Sequence, residues 1–174
     1  MKKNVLVIAF LAIAVLFSNE TNAQKFPKMD KSPLDMAMLS TKKDGVVAKV
    51  VFSRPQLKGR SMAKLAPAGK VWRLGANEST EVRFYKDVMF GGKSVKAGTY
   101  TMYAIPGNSE WTIILNNKLH TWGSRGYKQA DDFVRVTGKV SKGSNFVEAL
   151  SIIFSKKGEM HIGWANTVVT VPVK

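Results

Sequence analysis

Cysteine is absent from the 174 residues, histidine occurs twice, and only 12 Asp and Glu stand against 27 Lys and Arg. The missing thiol excludes disulfides, thiolate zinc sites, iron–sulfur ligation, thiol nucleophiles and the acylated cysteine of a lipoprotein. A zinc hydrolase needs three protein ligands, commonly with His at i and i+4, whereas His120 and His161 are isolated. No metal site and no cofactor are therefore expected, and the bland reading of both histidines is a surface position. A Gly-x-Ser-x-Gly elbow is lacking, and Gly91-Gly92 is not followed by the helix that a phosphate-cradling loop requires. Amphipathic helical periodicity is nearly absent as well.

Long apolar runs are equally scarce, and the single one opens the chain. Lys2-Lys3 precede an unbroken run from Val5 to Phe17, and a polar stretch then ends at Thr21-Asn22-Ala23. Thirteen apolar residues fall short of the roughly 20 that span a bilayer, and small residues at −3 and −1 suit cleavage before Gln24. Residues 1–23 are read as a secretory signal peptide, and the mature chain as exported, periplasmic or extracellular, with no transmembrane segment. Removing the leader takes away Lys2, Lys3 and Glu20, which leaves 25 basic and 11 acidic side chains. A domain of about 150 residues buries roughly 70% of its unfolded surface, so the core needs no cross-links.

What remains is punctuated by turns. Residues 24–41 hold Pro27, Pro33 and three lysines around Leu34-Asp35-Met36-Ala37-Met38-Leu39, and are read as an N-terminal tail with the option of a helical turn or a docked arm. Residues 42–174 read as one domain. Val46–Phe52 is β-branched and stops at Ser53-Arg54-Pro55; Phe90-Gly91-Gly92-Lys93 marks one hairpin and Pro106-Gly107-Asn108-Ser109 another. Phe133–Val140, Val147–Phe154, Met160–Trp164 and Thr167–Val173 follow, separated by turn-like segments such as Lys142-Gly143-Ser144-Asn145. Eight or nine short strands at this spacing predict an all-β domain, a single antiparallel β-sandwich.

The longest irregular stretch, Ser53 to Thr80, overlaps the greatest concentration of charge. Between Lys42 and Arg73 nine basic residues meet Asp44 alone. Long loops in compact domains are disproportionately functional, so the segment is the first place to look for a site.

The same residues carry a resemblance. Ser53-Arg54-Pro55, Lys58-Gly59-Arg60, Gly69-Lys70-Val71-Trp72-Arg73-Leu74-Gly75-Ala76-Asn77-Glu78-Ser79-Thr80, Ala97-Gly98-Thr99-Tyr100, Ile105-Pro106-Gly107, Glu110-Trp111-Thr112 and Trp122-Gly123 resemble the exported bacterial family called domain of unknown function 2911. The resemblance covers nearly all of the mature chain, and its most specific element is Trp-Arg-x-Gly-Ala-Asn-Glu-x-Thr. The family commonly has Thr at the position of Leu74 and Ala at that of Ser79. It implies export and the all-β fold, and supplies no reaction, cofactor or catalytic residues.

Function is therefore read from residue chemistry. Tryptophan faces beside amide and guanidinium groups suit sugar rings and anionic glycans, and net positive charge concentrates polyanions. The expectation is a non-enzymatic binder of a carbohydrate or anionic cell-envelope ligand through Arg54, Arg60, Trp72, Arg73, Asn77, Glu78 and Trp122. Nucleic acid is disfavoured by export and by the lack of a recognition motif. The alternative is a hydrolase or isomerase on an envelope carbohydrate or lipid with Glu78 as acid or base, while a structural subunit would show a large apolar patch. The competing structural role for Glu78 is an ion pair with Arg54, Arg60 or Arg73 that fastens the loop. If Glu78 lines an open pocket near a second carboxylate or His120, the enzyme reading gains. Asp131-Asp132 reads as the solvated start of a strand.

Overall fold

The computed structural model describes residues 24–174, so the leader expected over residues 1–23 lies outside the described residues. The fold is all-β: a large antiparallel sheet curled into a half-barrel, joined by a small two-stranded sheet. The strands are β1 (Leu34–Thr41), β2 (Gly45–Ser53), β3 (Glu81–Phe84), β4 (Val88–Phe90), β5 (Lys93–Val95), β6 (Gly98–Ile105), β7 (Glu110–Asn116), β8 (Asp132–Phe154) and β9 (Glu159–Pro172). The large sheet runs β1-β2-β3-β6-β7-β8-β9, and β4-β5 form the small one. Among the described residues one short α-helix, α1 (Met62–Leu65), interrupts the long loop after β2, capped by the Ser61 hydroxyl on the Lys64 amide.

Three segments depart from the sequence reading. Leu34–Thr41, expected as part of a tail, is the edge strand β1, in register with β2 from Leu34 opposite Ser53. Its alternation is real but inverted in bulk: Ala37 and Leu39 point inward, whereas the larger Leu34, Met36 and Met38 are exposed. Lys142–Asn145, expected as a turn, lies inside the 23-residue β8, where the pairing with β9 shifts register between Lys142 and Val147. Met160–Trp164 and Thr167–Val173 likewise merge into β9, with Ala165 at positive φ (53°) where the ladder breaks. Bulges of this kind let a long strand bend without ending, which is how a hairpin of two long strands follows the half-barrel's curve.

Both expected hairpins form. Phe90 pairs with Lys93 across Gly91-Gly92, and a Cβ on Gly91 would stand 2.6 Å from that of Val136 at φ 56°, so only glycine lets this turn seat against β8.

The core fills the inside of the curl. Trp72 stacks on Trp164 with ring centroids 5.3 Å apart and planes 7° from parallel, and meets Trp111 edge-on at 6.1 Å. Such contacts add about 0.5–1.5 kcal/mol each to the burial of the rings themselves. Phe84, Phe90, Met102, Ile113, Leu115, Leu150 and Val169 complete the cluster. The opposite face of β6 and β7 is covered by the loop following β7. There Tyr103 packs on Tyr127, and Asp132 accepts hydrogen bonds from Asn116, Tyr127 and Arg135 at 2.7–2.9 Å. Asp132, expected on a solvated strand end, is thus nearly buried and fully used, with only 8% of its side chain exposed.

Candidate functional site

Two loops are sewn together on the sheet face opposite the core. The Ser79 amide donates to the Thr121 carbonyl (2.9 Å) and the Gly123 amide to the Asn77 carbonyl (3.1 Å), which makes Glu78 and Trp122 an isolated antiparallel bridge. Beneath them the Ser79 hydroxyl donates to the Gly123 carbonyl (2.7 Å), Thr121 donates to Ser79 (2.9 Å), and Thr121 also shares a hydrogen bond with the Tyr103 hydroxyl (2.8 Å). Asn77 and His120 sit at positive φ (56° and 57°). Non-glycine residues in this region cost energy and cluster where surrounding contacts over-determine a shape.

The result is an open groove of about 540 Å³. Its floor is Val51 of β2 and Glu81 of β3, which are register partners on the face opposite buried Val50 and Val82. One wall is Asn77, Glu78, His120, Thr121 and Trp122, and the other is the arm around Asp30 and Ser32. The Trp122 ring is 67% exposed. Glu81 Oε1 accepts from the His120 amide (2.9 Å) and lies 3.3 Å from His120 Nδ1, so one carboxylate holds the backbone of that residue and stands close to its exposed ring. The Ser32 backbone amide (2.6 Å), then the Asn77 side-chain amide, hold the Asp30 carboxyl below its ordinary range.

Charge in this groove is opposite to that of the chain. Its lining carries Asp30, Glu78 and Glu81 and no Lys or Arg. Glu78 is exposed and forms no ion pair among the described residues, so the expected fastening by Arg54, Arg60 or Arg73 is not what holds the loop. Backbone bridges and the Ser79–Thr121 hydroxyls do that instead.

Of the seven residues expected at a site, the structure brings Asn77, Glu78 and Trp122 together in the groove and places Arg73 in an adjoining cavity behind Trp122. The other three lie elsewhere for identifiable reasons. Trp72 is 7% exposed because its indole completes the stack with Trp111 and Trp164, leaving no face for a ligand. Arg54 spends its guanidinium on the Leu150 carbonyl (2.9 Å), Ser151 Oγ (2.7 Å) and Asp35 (3.0 Å), clasping the β2 end to β8. Arg60 donates to the carbonyls of Leu57 and Gln56, closing the turn at Lys58-Gly59. Asp30, Glu81, His120, Thr121 and Arg125 were not singled out as ligand contacts. Glu81 follows Glu78 by three positions and His120 precedes Trp122 by two, but nothing in that spacing indicates that β3 sets the carboxylate under the histidine.

His161, the second histidine, shares a hydrogen bond with Thr170 Oγ1 (2.9 Å) within β9 and does not line the groove. Among the described residues no group of three His, Asp or Glu could hold a metal, and no helix is long and apolar enough to cross a membrane.

The family model described as protein of unknown function (DUF2911) matches residues 32–173, from the arm's end through β9. The chain belongs to this family. The DUF2911 match includes β1 and every groove residue except Asp30. No curated protein and no solved structure matches the chain.

Proposed function

We propose that this DUF2911 protein is exported and binds a carbohydrate in the groove, with the Trp122 indole as the stacking surface. The observation that carries the reading is the pairing of an exposed indole with a carboxylate on a rigid bridge. A sugar ring offers an apolar C–H face and a rim of hydroxyls, which an aromatic plane and the acceptors of Glu78, Asn77 and Thr121 complement. The three carboxylates disfavour an anionic group in the groove itself, so the carbohydrate half of the sequence expectation is retained here. Screening the mature protein on neutral oligosaccharides, followed by calorimetry, tests this. Trp122→Ala should weaken binding at least tenfold and Glu78→Gln by a smaller factor, whereas unchanged binding in Trp122→Ala overturns the reading.

A second reading is favoured by one observation, the exposure of Glu78 in an open groove beside Glu81 and His120. A hydrolase or isomerase acting on an envelope carbohydrate or lipid would use Glu78 as its acid or base, with Glu81 holding His120 in position. Release of product from a glycan the protein binds, abolished in Glu78→Gln with binding kept, would establish it. Stable binding without turnover leaves the binding role alone.

A further inference from the structure

The cavity behind Trp122 differs in chemistry from the groove in front of it. It is about 310 Å³, and its lining is Arg73, Trp122, Gly123, Ser124 and Arg125, with two guanidinium groups and no carboxylate. Among the described residues neither arginine forms an ion pair. The Nε of Arg73 is buried and has no hydrogen-bond partner. An orphaned buried donor costs about 1–3 kcal/mol, and more when charged, so a structure that keeps one has a use for it or lacks its natural partner. Burial also lowers the Arg73 pKa from its ordinary value, as expected of a cation with no counter-charge. Gly123 shapes the cavity: at φ 67° it stands where a Cβ would approach Arg73 Nη1 to 3.2 Å, so a side chain here would press on the guanidinium.

We propose that Arg73 and Arg125 form an anion subsite, and that the ligand is an acidic glycan whose sugar ring lies on Trp122 while its carboxylate or phosphate group enters the cavity. Trp122 lines both spaces, so a ligand crossing it meets hydroxyl-binding carboxylate and amide groups on one side and two guanidinium groups on the other. The Arg fork matches a carboxylate or phosphate edge through two parallel N–H bonds. Since the orphaned Arg73 Nε is itself sealed from solvent, it marks a cation without a counter-charge, while the contacts to the ligand fall to the terminal guanidinium nitrogens. The far end of the groove offers a contrasting control. Lys49 and Arg83 line a space there, but Glu81 lines it too and Arg83 lies over the Tyr85 ring at 5.1 Å, so charge is already partly answered at that end.

The subsite rests on the carbohydrate reading for its sugar half alone, and the test separates the two. Xylotriose carrying one glucuronic acid branch and its methyl ester share one sugar backbone and differ by a single charge; inorganic phosphate carries charge without sugar. Calorimetry at low salt should show the acid bound at least tenfold tighter than the ester. That preference should vanish in Arg73→Gln/Arg125→Gln, persist in Lys49→Gln/Arg83→Gln, and leave ester binding unaltered. Inorganic phosphate should shift the Arg73 Nε–H resonance in the unmutated protein. Equal affinity for acid and ester, or a preference that survives loss of both arginines, overturns the subsite while leaving the groove reading in place. A phosphate-induced Nε–H shift with no binding of either glycan retains the anion subsite and removes the carbohydrate reading. No shift and no glycan binding removes both. Circular dichroism and thermal melting of each variant separate a lost site from a lost fold.

Discussion

Glu78 and Trp122 are a narrow antiparallel pair: the hydrogen bonds flank them, from Ser79 to Thr121 and from Gly123 to Asn77, rather than joining them directly. Pairs of this type bring Cα atoms to about 4.5 Å and side chains closer than in the wide pairs. The carboxylate and the indole are consequently set beside one another, although they come from loops 44 positions apart.

That placement depends on the hydroxyls below it. Ser79 is 6% exposed, donates to Gly123 and accepts from Thr121. Ser79→Ala should cost about 1–3 kcal/mol of stability, because the buried Gly123 carbonyl and Thr121 hydroxyl each lose a partner. Urea unfolding measures this, and a loss below about 0.5 kcal/mol would mean that the bridge holds itself.

The two tryptophans of the site expectation should behave oppositely. Trp72→Ala opens a hole in the three-indole stack and should cost about 3–5 kcal/mol. Trp122→Ala removes an exposed ring and should change stability by no more than about 0.5 kcal/mol. Comparable losses in thermal melting would contradict the division between core and groove.

Arg54 and Asp35 form an ion pair in which Arg54 also holds two groups of β8, whereas Asp35 otherwise accepts from the neighbouring Met36 amide (2.7 Å). The pair itself is partly solvated, with 34% and 44% of the side chains exposed, and is worth about 1 kcal/mol at most. Arg54→Ala also strips donors from the Leu150 carbonyl and Ser151, so it should cost about 1–3 kcal/mol against less than about 1 for Asp35→Asn. Equal costs would assign the clasp to the ion pair after all.

Acid should loosen the arm before the sheet. The Asp30 carboxyl is held below its ordinary 3.8 by the Ser32 amide and then by Asn77. A depressed carboxyl contributes stability above 3.8 that is lost as pH falls through the folded-state value. The Ser32 amide resonance should therefore move with a midpoint under 3.8, and no such step should occur in Asp30→Asn. A midpoint at or above 3.8 refutes the contact.

Turn chemistry and β-branched runs made most strands legible, because Gly91-Gly92 and Pro106-Gly107 mark hairpins through φ preferences that act locally. β1 was hidden since its inward positions are Ala37 and Leu39 while bulkier Met36 and Met38 face out, reversing the size pattern that signals a buried side. Lys142–Asn145 has turn composition but is spent as a bulge, a choice decided by β9 across the ladder. Trp72 and Trp122 are the same residue type, each beside a basic residue and a glycine within three positions, and the bridge to Ala104 with the packing on Trp111 and Trp164 is what separates them. The groove draws on the arm, β2, β3 and two loops, and no sequence spacing reports that convergence.

The strand order carries a consequence for assembly along the chain. Neighbours in the large sheet are consecutive in sequence except at β3–β6, where the β4–β5 hairpin intervenes. Such a sheet can grow by adding one strand at a time. The exceptions are long-range contacts, chief among them the closure onto β8 in which the Arg54 clasp to Leu150 and Ser151 spans 96 and 97 positions beside the Gln56–Ala149 bridge and bends the sheet back on itself. Every residue lining the groove and its adjoining cavities lies between Asp30 and Arg125, ahead of that closure. The candidate groove is thus built from chain that precedes the β8–β9 hairpin, and that hairpin serves as the brace that sets its curvature.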